Sequence, residues 1–316
     1  HFIPSPFPSP LLLPGVTLNH LAWAQVLGTP TGLMALQGTD GHGAQIRGKL
    51  EELGVGTDLI RVSEGYTTSV SHVFIDDSGE RSIVMAPAST SSLDGEVVGS
   101  EFSAAIRSGA ALVTTEISQV PLSGVQALLA AAREKGVPSL LDVDVTPTVA
   151  EHAARLGAKE LVGQCAKSAD VLKLTRSAAQ ELLALVDPMA ELAPHLPGIA
   201  AQLGENFQSK LCVVTDGARG AVLAANAGHT VVEVPAIPRV TQVDATGAGD
   251  AFFGGIVAAT YHYGLPSTAS ELERAGAIAA AAGAACCTVL GALPVLPQSL
   301  HAMKSFSEHV PPLLDA

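Results

Sequence analysis

The chain has 316 residues, 47% of them hydrophobic and only 15% charged, with a formal net charge of −13 at pH 7. This length and apolar content suit one large α/β domain or two smaller ones with a substantial core. The acidic balance argues against nucleic acid or an anionic membrane as partner. The four cysteines, Cys165, Cys212, Cys286 and Cys287, have neither metal-ligand spacing nor the framework of a secreted domain, which points to reduced thiols and a cytoplasmic protein.

Residues 1–14 carry Pro4, Pro6, Pro8, Pro10 and Pro14 without a basic n-region, and read as an extended leader, not a secretory signal. Residues 18–27 read as a helix closed by Gly28, 31–36 as a short apolar run, and 45–53 as an amphipathic helix stopped by Gly54. The alternation over 68–74, the turn residues Asp76-Asp77-Ser78-Gly79 and the return over 81–85 predict a β-hairpin. Strand-length runs follow at 112–115, 139–143, 171–174 and 211–215, separated by helical patterns at 121–135, 149–161 and 177–186. Such alternation predicts a mostly parallel sheet covered on both faces. The stretch 187–208 is the least regular and reads as a surface insertion. Residues 275–295 are uncharged, but their Ala and Gly content and Pro294 make them a buried core helix, not a membrane span.

The most informative stretch is 243–255, Val-Asp-Ala-Thr-Gly-Ala-Gly-Asp-Ala-Phe-Phe-Gly-Gly. Gly247, Ala248 and Gly249 are too small to shield the backbone, and a helical segment follows them. A small-residue loop opening a helix offers free N–H groups and a positive dipole end to an anion. Asp250 in the first turn is either a dipole-compensating residue or a carboxylate that holds a substrate hydroxyl beside the bound anion. Other candidates lie at carboxyl ends of strands, where open α/β sheets bind ligands: Glu116, the pair Asp142 and Asp144, and the turn Thr215-Asp216-Gly217-Ala218-Arg219-Gly220.

Residues 244–250 resemble the signature Asp-(Thr/Ala)-Thr-Gly-Ala-Gly-Asp of the ribokinase-like (PfkB) carbohydrate kinases. The resemblance extends over most of the chain. Gly15-Val-Thr-Leu-Asn19, Gly28 and Gly38 follow the family's N-terminal signature in spacing, although Pro14-Gly15 replaces the usual double Gly and Leu21 a small residue. Thr215-x-Gly217-x-x-Gly220 is similar to its nucleotide loop. The resemblance implies a three-layer α/β/α sandwich over 15–316, with residues 67–86 as part of a β lid through which such proteins dimerise.

It further implies ATP-dependent phosphorylation of a hydroxymethyl group on a small ribose- or fructose-like sugar. Asp250 would be the base and Gly247, Ala248 and Gly249 the anion hole. Gly15, Asn19 and Glu116 would hold sugar hydroxyls. Thr215, Asp216, Gly217, Ala218, Arg219 and Gly220, with Gly249 and Ala280, would hold ATP with its Mg²⁺. Asp244 and Thr246, with Gly291 and the carbonyls of Cys286 and Val289, would take a monovalent cation such as K⁺. The helix end is expected to keep the Asp250 pKa low.

Two departures stand out. Thr175 and Ala178 occupy the places of a Mg²⁺-organising Asn-x-x-Glu pair, leaving Asp142 or Asp144 to compensate. The Pro-rich start also leaves little room for the family's first strand. These departures keep open a kinase-like binding or regulatory protein without turnover, and the same fold also admits a nucleoside kinase. A dehydrogenase is disfavoured, because no strand precedes a convincing Gly-x-Gly-x-x-Gly with a downstream acid.

Overall fold

The computed structural model describes residues 15–75, 81–189, 191–296 and 298–309. The N-terminal part comprises α1 (Val16–Val26), β1 (Ala35–Gly38), α2 (Gly41–Glu52), β2 (Ile60–Ser63), β3 (Val70–Ile75), β4 (Arg81–Ala86), α3 (Gly95–Val97) and α4 (Ser103–Gly109). There follow β5 (Val113–Glu116), α5 (Leu122–Lys135), β6 (Ser139–Val143), α6 (Lys159–Ser168), β7 (Val171–Thr175), α7 (Arg176–Val186), α8 (Leu196–Phe207) and β8 (Leu211–Thr215). The chain continues through β9 (Ala221–Ala225), β10 (Thr230–Val234), α9 (Ala248–Tyr263), α10 (Ala269–Cys286) and α11 (Gln298–Phe306).

A six-stranded sheet in the order β10-β9-β8-β7-β6-β5 is the centre of the molecule. Strands β5 to β8 run parallel, β9 is antiparallel to β8, and β10 is antiparallel to β9. Side-chain alternation divides the sheet between two cores. Leu140, Val171, Leu211, Val213 and Leu223 pack with Trp23 of α1, Phe253 and Ile256 of α9, and Ile278 of α10. Leu141, Leu172, Leu174, Cys212 and Val214 pack instead with Leu129 of α5, Val162 of α6, Leu182 of α7 and Leu203 of α8. This is the expected three-layer sandwich, its strands apolar on both faces because both are covered.

Small residues set the helix spacing on the first face. A Cβ on Gly254 would stand 2.7 Å from the Trp23 Cβ, and one on Gly255 would stand 2.5 Å from the Ala279 Cα. Helix α9 therefore lies against α1 and α10 at nearly backbone contact. Helix α10 is started by a reciprocal capping box between Thr268 and Glu271. Among the described residues, no helix is long and apolar enough to cross a membrane.

Strands β1 and β2 form a separate parallel pair, and β3 and β4 an antiparallel hairpin running from Val70↔Ala86 to Ile75↔Arg81. The turn read at 76–79 and the leader read at 1–14, with its bearing on a first strand, lie outside the described residues. A cavity of about 1040 Å³ separates β1 from β5, lined by Leu36, Val113 and Thr115 and reaching Gly15, Thr68 and Glu116.

Two sequence expectations are corrected. The helix expected over 149–161 is a single wide turn, Val149–Ala153, followed by a break. Arg155 and Gly157 take positive φ values of 56° and 145°, so the chain cannot continue helically, and α6 begins only at Lys159. The stretch 187–208 is not an insertion throughout, because α8 occupies its second half and buries Ile199, Ala200, Leu203 and Phe207. That spacing is an apolar helical stripe, begun by a proline in the first turn.

Candidate active site

The loop before α9 turns on Gly247, whose φ of 78° is left-handed. A Cβ there would stand 2.3 Å from the Ala292 Cβ and 2.7 Å from its Cα. Glycine is thus required both by conformation and by the close approach of Ala292. The N–H groups of Gly247 and Gly249 have no protein partner among the described residues. Ala248 corrects the expectation of three free donors, because its N–H donates to the Ala245 carbonyl at 3.2 Å as the loop tightens into the helix.

Asp250 follows in the first turn and is 8% exposed. Asn19 of α1 donates its Nδ2 to Asp250 Oδ2 at 2.6 Å, and the Asn19 Oδ1 is buried without a partner among the described residues. The low pKa expected at a helix end is overturned. Burial pushes the Asp250 carboxyl up to about 7, the charge of Asp144 adds to that, and Lys173 and Asn19 oppose it. Desolvation by burial is the largest influence on this carboxyl.

Beneath this turn the sheet carries a row of polar side chains. Glu116 on β5 pairs in register with Asp142 on β6, and Asp142 with Lys173 on β7. All three are buried, at 2%, 0% and 0% exposure. The Lys173 Nζ lies 2.9 Å from the Asp142 carboxylate and 4.0 Å from Asp144 Oδ1. Burial alone would lower the ammonium, but the charges of Asp142, Asp144 and Asp250 outweigh it and hold Lys173 at about 12. Asp142 is thereby engaged inside the sheet, which corrects its reading as a stand-in for the Mg²⁺-organising acid. Glu116 accepts from Ser118 Oγ at 2.6 Å and from the Gln119 N–H at 3.2 Å, while burial raises it to about 7.

Lys173 went unread in the sequence as a site residue. Its signal was a charged side chain at an inward position of Val-Leu-Lys-Leu-Thr, where alternation predicts an apolar one.

Raised carboxyls make stability depend on pH with a definite sign. Asp250 and Glu116 have folded values near 7 and ordinary values of 3.8 and 4.5. Their contribution is complete below about pH 4 and is lost as pH rises through about 7. The ligand-free protein should therefore melt at a lower temperature at pH 8.5 than at pH 5.5. The double variant D250N/E116Q should reduce that difference in calorimetry, leaving the share of Asp142, which burial also raises; an unaltered slope would contradict the burial of charge described here.

The other predicted residues fall in two loops and a helix. Thr215 ends β8, and Gly217–Arg219 form a 3₁₀ turn closed by Gly220, whose φ is 90°. Asp216 is gripped by Arg219 at 2.6 and 2.7 Å and by Arg176 at 3.1 Å, so two guanidiniums flank this loop. Ala218 lies within the turn. Ala280 is buried in α10 and packs in the core beside α9.

Asp244 links the remaining loops, accepting from the Thr246 N–H at 2.9 Å and the Gly291 N–H at 3.0 Å. The Cys286 Sγ lies 3.3 Å from the Thr246 carbonyl, and the Cys286 carbonyl accepts from the Val289 N–H at 3.3 Å. Gly15 caps the start of α1 and accepts the Asn19 N–H. Thr175 caps α7 by accepting the Ala178 N–H at 3.3 Å, and Glu181 turns to the Thr148 N–H.

Comparison with known proteins identifies the family and the fold. The model of the pfkB family carbohydrate kinases matches residues 14–299. A fructokinase of Salmonella typhimurium is 28% identical over 295 residues, covering 92% of this chain and 91% of that protein. The structure of Arabidopsis thaliana ribokinase complexed with ribose and ATP superposes with a TM-score of 0.72 at 23% identity, covering 92% of this chain and 87% of that one. An Escherichia coli structure assigned to ribokinase II, in complex with ATP and Mg²⁺, superposes with a TM-score of 0.74 at 19% identity, covering 96% and 93%. A helix-opening glycine loop, a buried aspartate in its first turn and a ribokinase-like sandwich meet in one chain that belongs to the pfkB family of carbohydrate kinases.

Proposed function

We propose that the protein transfers the γ-phosphoryl group of ATP to a hydroxymethyl group of a fructose- or ribose-like sugar. One observation carries the reading: Asp250, held by Asn19 at 2.6 Å, stands in the first turn of α9 beside the N–H groups of Gly247 and Gly249, which have no partner among the described residues. A base and an oxyanion cradle are thus adjacent, as in-line phosphoryl transfer needs.

The primary hydroxyl gives its proton to an Asp250 carboxylate oxygen as its own oxygen attacks the γ-phosphorus, and the bond from that phosphorus to the β,γ-bridging oxygen breaks to release ADP. The Gly247 and Gly249 N–H groups take up charge on the phosphoryl oxygens. The Asn19 Oδ1, buried without a partner among the described residues, and the Glu116 carboxyl, which lines the cavity, receive the other sugar hydroxyls. The triphosphate lies along Thr215–Gly220, with Arg176 and Arg219 as flanking cations. A monovalent cation such as K⁺ would be held by backbone oxygens of the two loops that Asp244 joins, those of Thr246 and Gly291. Mg²⁺ arrives as part of the ATP substrate. Thr175 and Ala178 supply no carboxylate for it, so no step is assigned to protein-held Mg²⁺.

That same substitution favours a second reading, a kinase-like protein that binds without turnover. Assay of the purified protein with ATP and Mg²⁺ against ribose, fructose and a set of nucleosides, with and without K⁺, separates the two. The first reading expects turnover on the order of 1–100 s⁻¹ with a free sugar. Saturable sugar or ATP binding without turnover would favour the second.

A further inference from the structure

A lysine with no exposed surface inside a parallel sheet demands a reason, because such a charge is retained only when it is paired. Asp142 accounts for one direction of the Lys173 ammonium. The other directions lead to the transfer site: Asp144 Oδ1 is 4.0 Å away, and a Cβ on Gly249 would stand 3.5 Å from Nζ. Lys173 therefore lies directly under the anion loop and the first turn of α9. We infer that Lys173 is a positioning residue of the transfer site, whose buried ammonium holds Asp250 ready as a carboxylate and adds positive charge beneath the Gly247–Gly249 donors.

The inference rests on the kinase reading above. Three buried carboxyl groups, Glu116, Asp142 and Asp250, and the partly exposed Asp144 gather around the Lys173 ammonium. The groups that act on Asp250 are Asn19 of α1, Glu116 of β5, Asp142 of β6, Asp144 after β6, Lys173 of β7 and Cys286 of α10. His20 of α1, also buried near Lys173, is held neutral, its pKa lowered by burial to about 3, so it contributes no positive charge. Lys173 is the cation of the set. The charge of Lys173 acts on Asp250 in the direction that favours the carboxylate.

The test is a carbon-detected NMR titration of aspartate side chains in the wild type, K173M, K173R and the double variant K173M/D142N, with D250N identifying the Asp250 signal. The double variant removes both buried charges, which keeps the experiment open if K173M alone fails to fold. The Asp250 midpoint should rise by about one pH unit or more in K173M and K173M/D142N, and stay near the wild-type value in K173R. Turnover at pH 7 should fall about tenfold or more in K173M/D142N, with the sugar KM little changed. A midpoint unmoved in K173M, or restored in the double variant, would overturn the inference by reducing Lys173 to a counter-ion of Asp142. Absence of turnover in the wild type would instead remove the kinase reading, and the titration would still decide whether Lys173 governs Asp250.

Discussion

Asp250→Asn should lower kcat by about three orders of magnitude while ATP binding is retained. The exchange keeps the size of the side chain and removes the one group in the first turn of α9 that can take a proton. Nucleotide affinity should survive, because the Thr215–Gly220 loop is held by its own contacts, among them the Arg219–Asp216 pair at 2.6 Å. The variant should also be more stable than the parent at alkaline pH, since a carboxyl that burial has raised to about 7 no longer has to ionise in the interior. Steady-state kinetics, isothermal titration with ATP and a melting curve at pH 8.5 check the three parts. Turnover close to that of the parent would end the assignment of Asp250 as base.

Gly247→Ala should be nearly as damaging for a different reason. The new methyl carbon would stand 2.3 Å from the Ala292 Cβ, and the backbone φ of 78° is one that L side chains adopt at a cost. Relief requires the loop before α9 to move away from Ala292, and that movement carries the Gly247 and Gly249 donors with it. A displacement of about 1 Å at such donors costs on the order of 10²-fold in rate. Gly264→Ala at the other end of α9 is the control: its φ is 81°, but its Cβ would meet open space. It should cost about 1–3 kcal/mol of stability and leave kcat unchanged. Equal kinetic losses in the two variants would show that helix stability, not donor placement, sets the rate.

Much of this site could be read from residue order. The glycine loop, Asp250, Asn19 and the Thr215–Gly220 turn are local patterns, and each lies at an element boundary where such residues have few other uses. Strands β6 to β8 were visible as short, mostly apolar runs because a sheet covered on both faces is largely apolar, the polar Asp142 and Lys173 being the exceptions that mark the site. Helix α8 was obscured by the irregular Asp187–Pro188 start and by glycines at 198 and 204, although its buried positions keep helical spacing. The break at Arg155 and Gly157 depends on backbone angles that Arg155 does not advertise. The raised pKa of Asp250 was hidden because desolvation depends on what covers a residue, and the covering groups come from α1, β5, β6 and β7. Lys173 was missed for the same reason: its partner is 31 residues away.

The in-register row of Glu116, Asp142 and Lys173 has a consequence for how the sheet is assembled. Sliding β7 by two residues along β6 would preserve inside and outside, so greasy burial cannot forbid that error. It would, however, set Lys173 opposite Leu140 or Asp144, and strand Asp142 in a dry interior without its cation. The mistake that oil and water tolerate is the one these charges punish. Chains paired wrongly would lose their working centre and their folding advantage together, so a population that has folded has by the same contact been proofread for competence.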